Sequence, residues 1–190
     1  MTQEIEIEYK NLLIKEEFDR LLQELPFPDQ SDTQTNHYFE SADFALKKLG
    51  CALRIREKNG TYTLTLKEPY PSGLLETHDT LTEQEATAWI NGDVLHEKDA
   101  AKRIADKGIS PDNLIYFGSL TTERRELNYR DTLLVLDYST YYGYDDYELE
   151  LETSSERHGR EIMQDILTGF NIEKRDTPNK IQRFFAAARS

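Results

Sequence analysis

The chain has a single cysteine, Cys51, in 190 residues. An internal disulfide is therefore excluded, and a reducing, cytoplasmic setting is the expectation. No apolar run approaches the ~20 residues that a membrane-spanning helix needs. The opening Met-Thr-Gln-Glu holds neither a basic region nor an apolar stretch, so no secretory signal is expected. Positive charge is also scarce: 23 Lys and Arg stand against 36 Asp and Glu, a net charge of -13. Duplex nucleic acid and anionic membrane surfaces are poor partners for such a chain, because both reward neutralised phosphates. A small anionic ligand stays open, since a local pocket can be basic inside an acidic shell. The four histidines, His37, His78, His96 and His158, show no metal-ligand spacing, and no zinc site is expected. No long linker, low-complexity segment or fixed-period repeat interrupts the chain, so residues 1–190 read as one domain.

What is present is alternation. Glu4-Ile5-Glu6-Ile7-Glu8-Tyr9-Lys10 puts Glu4, Glu6, Glu8 and Lys10 on one face of a strand and Ile5, Ile7 and Tyr9 on the other. Carboxylates in a row repel one another, so a bound cation or a facing basic row is required. Further along, the spacing predicts helices over 14–25, 43–49, 98–107, 155–167 and 179–189, and one opened by Thr82-Glu83-Gln84-Glu85 in capping-box style. Pro26-Phe27-Pro28 stops the first. Strands are predicted over 3–10, 35–40, 52–58, 61–68, 74–81, 115–128, 132–139 and 147–153, with Asn59-Gly60 as a hairpin turn. Eight antiparallel strands suit a closed barrel.

Charge is segregated by strand. Arg54 and Arg56 share a face opposite Leu53 and Ile55. Thr63, Thr65 and Lys67 oppose Tyr62, Leu64 and Leu66, and Glu76 and His78 alternate with Leu75, Thr77 and Asp79. Asp137 alternates with Leu136 and Tyr138; Glu148, Glu150 and Glu152 alternate with Tyr147, Leu149 and Leu151. Helices need the apolar rows to pack on. If they cover the outside, the charged rows point inward and the barrel is a polar tunnel. Arginine forks bind phosphate oxygens, and clustered carboxylates bind hard divalent cations.

These residues resemble the CYTH superfamily, the triphosphate tunnel metalloenzymes. Glu6-x-Glu8-x-Lys10 looks like its N-terminal signature, and Leu53-Arg54-Ile55-Arg56 like its Arg-x-Arg strand. Thr63-Leu64-Thr65-Leu66-Lys67 is similar to its lysine strand, and Thr122-Glu123-Arg124-Arg125 to its later basic strand. Leu136-Asp137-Tyr138 and Glu148-Leu149-Glu150 resemble its acidic strand pair, and Asn179-Lys180-Ile181 the lysine near its last helix. The set runs in order along nearly the whole chain.

The resemblance implies an α+β fold: a closed eight-stranded antiparallel β-barrel, or tunnel, with helices packed outside. It implies Mg²⁺ or Mn²⁺ held by Glu6, Glu8, Asp137, Glu148 and Glu150, with Glu6, Glu8, Glu148 and Glu150 catalytic. It implies a small-molecule triphosphate gripped by Lys10, Arg54, Arg56, Lys67, Arg125 and Lys180. Two choices stay open: Glu152 in place of Glu148 as a ligand, and Arg124 in place of Arg125 as the inward residue. Many members carry a basic residue where Glu123 stands. The expected activity is metal-dependent triphosphate hydrolysis, on inorganic, nucleoside or thiamine triphosphate. The alternatives are a class IV type adenylate cyclase and a polyphosphate-binding module without turnover.

Overall fold

The computed structural model describes residues 2–71 and 73–188. In chain order the elements are β1 (Thr2–Leu13), α1 (Lys15–Glu24), β2 (Asp32–Ser41), α2 (Ala45–Lys48), β3 (Ala52–Lys58), β4 (Thr61–Tyr70) and β5 (Gly73–Leu81). Then follow α3 (Glu83–Ile90), α4 (Asp99–Asp106), one turn of 3-10 helix (Pro111–Asn113), β6 (Leu114–Tyr129), β7 (Thr132–Tyr141), β8 (Tyr144–Thr153), α5 (Glu156–Gly169) and α6 (Lys180–Ala187). The strands form a closed antiparallel barrel in the order β1-β5-β4-β3-β2-β6-β7-β8. Among the described residues no helix is long and apolar enough to cross a membrane.

Local chemistry accounts for many boundaries. Asn59 and Gly60 both have positive φ, 52° and 72°, as a two-residue hairpin turn between right-twisted strands requires. Thr82 and Glu85 exchange reciprocal hydrogen bonds, Thr82 N donating at 2.7 Å and Glu85 N at 3.2 Å, so the expected capping box opens α3. Leu25 is extended ahead of Pro26, which ends α1. Several bounds shift: β2 and β8 each begin three residues early, at Asp32 and Tyr144. The short helix begins at Ala45 rather than Asp43, because Phe44 is left-handed at φ 58°. β1 runs on to Leu13, three residues past the charged alternation, because Asn11 and Leu13 pair with Leu149 and Tyr147 on β8. Residue 189, placed in the last helix by its pattern, lies outside the described residues.

The chain divides into two compact units, one of Met1–Ile5 with Gln34–Leu120 and one of Glu6–Thr33 with Thr121–Ser190. Each has its own apolar core. In the first, Leu53 and Ile55 of β3 and Leu64 and Leu66 of β4 are fully buried against Trp89 of α3 and Ala100, Ala101 and Ile104 of α4. Two carboxylates dock α4: Asp79 accepts from Ala100 N at 2.8 Å, and Glu68 pairs with Arg103 and with Lys107. In the second, Leu134 and Leu136 of β7 and Leu149 and Leu151 of β8 are buried with Phe18 and Leu21 of α1 and Ile162, Met163 and Ile166 of α5. Within each unit the helices therefore take the apolar rows and leave the charged rows on the opposite strand face.

A strap of chain without regular secondary structure leads from α5 to α6. Arg175 N donates to Asn11 Oδ1 at 2.8 Å, its guanidinium holds Glu17 of α1 at 2.7 and 3.2 Å, and Thr177 Oγ1 accepts from Leu12 N at 2.9 Å. The entry to α6 is thereby tied to the end of β1.

Helix α5 comes close to the sheet at Gly159. A Cβ there would lie 2.5 Å from Thr153 Cγ2 and 2.7 Å from the Tyr9 ring. Tyr9 is itself anchored, its hydroxyl donating to Glu156 O at 2.7 Å. Gly159→Ala gains about 1 kcal/mol of helix propensity, but overpacking costs about 1–3 kcal/mol. The expected outcome is a net loss of stability, read as a lower urea midpoint at unchanged m value; a rise in the midpoint would contradict this packing.

Candidate functional site

In the second unit, β6, β7 and β8 place Arg124, Asp137, Glu148, Glu150 and Glu152 on the face turned away from α1 and α5. The register sets Arg124 opposite Asp137 and Asp137 opposite Glu148. Arg124 grips Asp137 with two parallel hydrogen bonds, 2.8 and 2.6 Å, and reaches Glu150 at 2.7 Å. Lys180, at the first position of α6, donates to Glu148 and Glu150 at 2.7 and 2.5 Å and pairs with Asp137 at 2.8 Å. Arg183 closes the other side, 2.5 Å from Glu148 and 2.9 Å from Asp146. Asp137 and Glu148 are wholly buried, and Glu150 nearly so. Buried charges persist only when paired, and three carboxylates here meet three cations.

Protonation follows from that balance. Burial works against the charge on Glu150, but Lys180 and Arg124 overcome it and hold its carboxyl well below the usual range. Burial, with the Glu150 charge beside it, pushes Glu148 up to about 7 despite Lys180 and Arg183. Asp137 and Glu150 hold Lys180 and Arg124 protonated well above their ordinary values, against the burial that opposes them.

The next residue along β8 is different. Glu152 lies directly opposite Glu8 of β1, while Lys10 lies opposite Glu150. Like charges directly opposite on a sheet destabilise it. Glu8 pairs with Lys10, whereas Glu152 has no ion-pair partner among the described residues. Burial, then the Glu6 carboxylate, with smaller contributions from Glu150 and Glu8, pushes Glu152 up to about 7. Glu6, Glu8 and Glu152 thus form an anionic patch beside a neutralised cluster.

In the first unit the corresponding strand faces carry Arg54 and Arg56, Thr63, Thr65 and Lys67, and Glu76 and His78. Arg56 donates to Asn36 at 3.2 Å, and Lys67 pairs with Glu76. Arg54 Nε is buried and has no hydrogen-bond partner among the described residues. A buried guanidinium nitrogen left this way costs free energy unless an acceptor arrives. Glu4, Glu76 and His78 bring three potential ligand atoms within 4.8 Å of one another. His78 Nδ1 lies 3.0 Å from Thr65 Oγ1, and Nε2 lies 3.1 Å from Glu4. That grouping joins two strands that are distant in sequence, so linear histidine spacing could not reveal it.

The expected site residues are therefore placed as follows. Glu6, Glu8, Lys10, Asp137, Glu148, Glu150 and Lys180 gather in the second unit; Arg54, Arg56 and Lys67 share strand faces in the first. Between the two open choices at the basic strand, Arg124 is the one on the acidic face. Arg125 lies on the opposite face and donates weakly to Asp29 O at 3.4 Å. Its parity matches Leu127, which packs on the apolar core, and that alternation was a usable signal. Arg183 and Asp146 were not anticipated. The signal for Arg183 was its three-residue spacing from Lys180 on a helix.

A model of the CYTH domain matches residues 4–185. The chain is 44% identical over 190 residues, 100% of this chain and 98% of the other, to a Bacillus subtilis (strain 168) protein named "Putative triphosphatase YjbK". A crystal structure of a "putative adenylate cyclase" from Bacillus halodurans superposes with a TM-score of 0.93 at 45% identity, over 97% of this chain and 100% of that one. HpAC1 from Hippeastrum, described as a "putative adenylyl cyclase" with "a dominant triphophatase activity", superposes with a TM-score of 0.79 at 24% identity, over 96% of each chain. At that identity the likeness carries the fold alone.

The Glu152 environment makes a testable demand. Its folded-state value of about 7 lies above its ordinary 4.5. Ionising it therefore costs the folded state nothing below pH ~4.5 and the full amount above pH ~7, by linkage. In metal-free buffer, Glu152→Gln is expected to raise the thermal midpoint at pH 8 and to change it little at pH 4.5. Equal effects at both pH values would remove the electrostatic account.

Proposed function

The chain belongs to the CYTH domain family, and from that premise we propose that it hydrolyses a triphosphate in a divalent-metal-dependent reaction. Inorganic triphosphate is the simplest substrate, with nucleoside and thiamine triphosphates as the others of the class. Residues 1–190 are taken to act as a single such domain. The observation that carries the reading is the anionic patch of Glu6, Glu8 and Glu152. Pure anion binding has no use for it, and hard cations take several carboxylate oxygens at once.

The donor set fits Mg²⁺ or Mn²⁺: oxygen ligands only, on two paired strands, with a carboxyl whose pKa is raised by burial and then by its neighbours' charge. We assign Glu6, Glu8 and Glu152 as the carboxylates that would hold the metal, with Glu150 at the border. Asp137 and Glu148 are wholly buried against Arg124, Lys180 and Arg183, and their proposed role is to orient those cations. When bound, the metal neutralises charge on phosphate oxygens and makes water a better nucleophile.

The side chains supply the rest. Lys10, Arg54, Arg56, Lys67, Arg124 and Lys180 are proposed to bind phosphate oxygens, with Arg124 in place of Arg125. Arg54 is the best prepared of these, since its buried Nε awaits an acceptor. Fixed guanidinium and ammonium groups orient the phosphate chain and stabilise charge as the phosphoanhydride breaks. A carboxylate of β8 takes the proton from the attacking water.

A second reading, cyclisation of ATP to cyclic AMP, draws support from the name of the Bacillus halodurans relative. Product analysis separates the readings. With Mg²⁺ or Mn²⁺ and inorganic triphosphate, ATP or thiamine triphosphate in turn, phosphate release is the expected outcome. Cyclic AMP from ATP would replace it with the second reading, and tight binding without product would make the protein a polyphosphate-binding module. Glu6→Gln and Glu150→Gln should stay folded and lose roughly 100-fold or more in metal-dependent turnover, the upper range for disturbed metal sites. Arg54→Ala should act mainly through a raised KM; unchanged KM and kcat would remove Arg54 from the phosphate-binding set.

A further inference from the structure

Lys180 and Arg183 are three residues apart on α6, so their side chains leave the same side of the helix. They differ in what they can fix. An ammonium is a point charge on a flexible stem, whereas a guanidinium is a planar fork that can bridge several acceptors in one geometry. Arg183 uses that fork fully. Its Nη2 lies 2.5 Å from Glu148 Oε2. Its Nε and Nη2 hold Asp146 at 2.9 and 3.3 Å. Its Nη1 donates to Pro178 O at 2.5 Å, two residues before α6 begins.

The far side of this grip is also fixed. Tyr141 at the end of β7 donates its hydroxyl to Asp146 Oδ2 at 2.7 Å. One arginine thus joins the β7–β8 hairpin, the acidic row and the turn that launches α6. All three of its nitrogens are engaged by protein oxygens, and its side chain is 9% exposed, so it has little left to offer a phosphate. Lys180 shares Glu148 with it, through the other carboxylate oxygen at 2.7 Å.

We propose that Arg183, braced by Asp146 and Tyr141, is a positioning residue: it sets α6 against β8 so that the Lys180 ammonium is held at Asp137, Glu148 and Glu150. The inference rests on the triphosphate reading for what Lys180 does, though not for where Lys180 is held.

The test begins without substrate or metal. The whole protein and its Arg183→Met, Arg183→Lys, Asp146→Asn and Tyr141→Phe variants are treated with an amine-acylating ester, and the rate at Lys180 is followed by peptide mass spectrometry. Lys180 should be acylated at least roughly fivefold faster in Arg183→Met, the scale of one lost hydrogen bond. Arg183→Lys should fail to restore protection, because charge without the fork cannot bridge. Asp146→Asn and Tyr141→Phe should move Lys180 in the same direction, and they carry the test if Arg183→Met does not fold. Wild-type acylation rates in the folded variants would overturn the proposal.

Steady-state kinetics on inorganic triphosphate add a second readout. Arg183→Met should raise KM more than it lowers kcat, and Arg183→Met with Lys180→Ala should be no worse than Lys180→Ala alone, since one acts through the other. Additive losses would mean that Arg183 contacts substrate itself and would also overturn the proposal. If the wild-type protein does not hydrolyse or bind triphosphate, the functional reading fails, while the acylation rates still decide whether Arg183 positions Lys180.

Discussion

Ionised side chains packed almost out of water are the constraint that the second unit is built around. Asp137, Glu148 and Glu150 have nearly no solvent to stabilise their charge. Each must be met by a cation at hydrogen-bonding distance or give up its charge. Arg124 arrives from the strand beside Asp137, but Lys180 and Arg183 come from a helix thirty or more residues further along the chain. The site therefore cannot be a property of the sheet alone. It needs α6 docked in one place, and the strap tied to Asn11 and Glu17 helps decide that place. Breaking a pair of this kind leaves an uncompensated buried charge, at a cost of about 3–5 kcal/mol.

The apolar rows make the arrangement affordable. Leu134, Leu136, Leu149 and Leu151 alternate with the charged residues and pack against α1 and α5. Leu53, Ile55, Leu64 and Leu66 do the same against α3 and α4 in the first unit. Because strand parity is strict, each residue given to a helix-facing core leaves its neighbour for the other face. The contrast between Glu150 and Glu152 then follows from how far the cations reach. Lys180 and Arg124 meet at Glu150, and Glu152 lies one strand repeat beyond.

Much of the fold was legible because its signals are local. Asn59-Gly60, the Thr82 capping box and the proline pair after α1 each act over four residues or fewer. The pairing of Glu6, Glu8 and Lys10 on one face needs only the two-residue period of a strand. The site was legible as a set of residue types, and less so as a set of contacts. Arg124 and Arg125 are adjacent, so composition treats them alike, and only the alternation through Leu127 separates them. Glu148, Glu150 and Glu152 are likewise equal by spacing, yet one shares two cations with its neighbours, one is pulled well below its ordinary pKa, and one faces other carboxylates. Glu4 is exposed, yet β5 brings His78 within 3.1 Å of it, a contact that no linear pattern contains.

The sequence by itself determined which residues share a strand face, where turns and caps fall, and that acidic and basic rows occupy different strands. These depend on a residue and its near neighbours. Tertiary structure alone decided which carboxylates are neutralised and that Arg183 belongs with them. Those outcomes depend on which strands lie side by side and where a distant helix docks. Charge energies vary steeply with distance and burial, and a linear pattern contains neither.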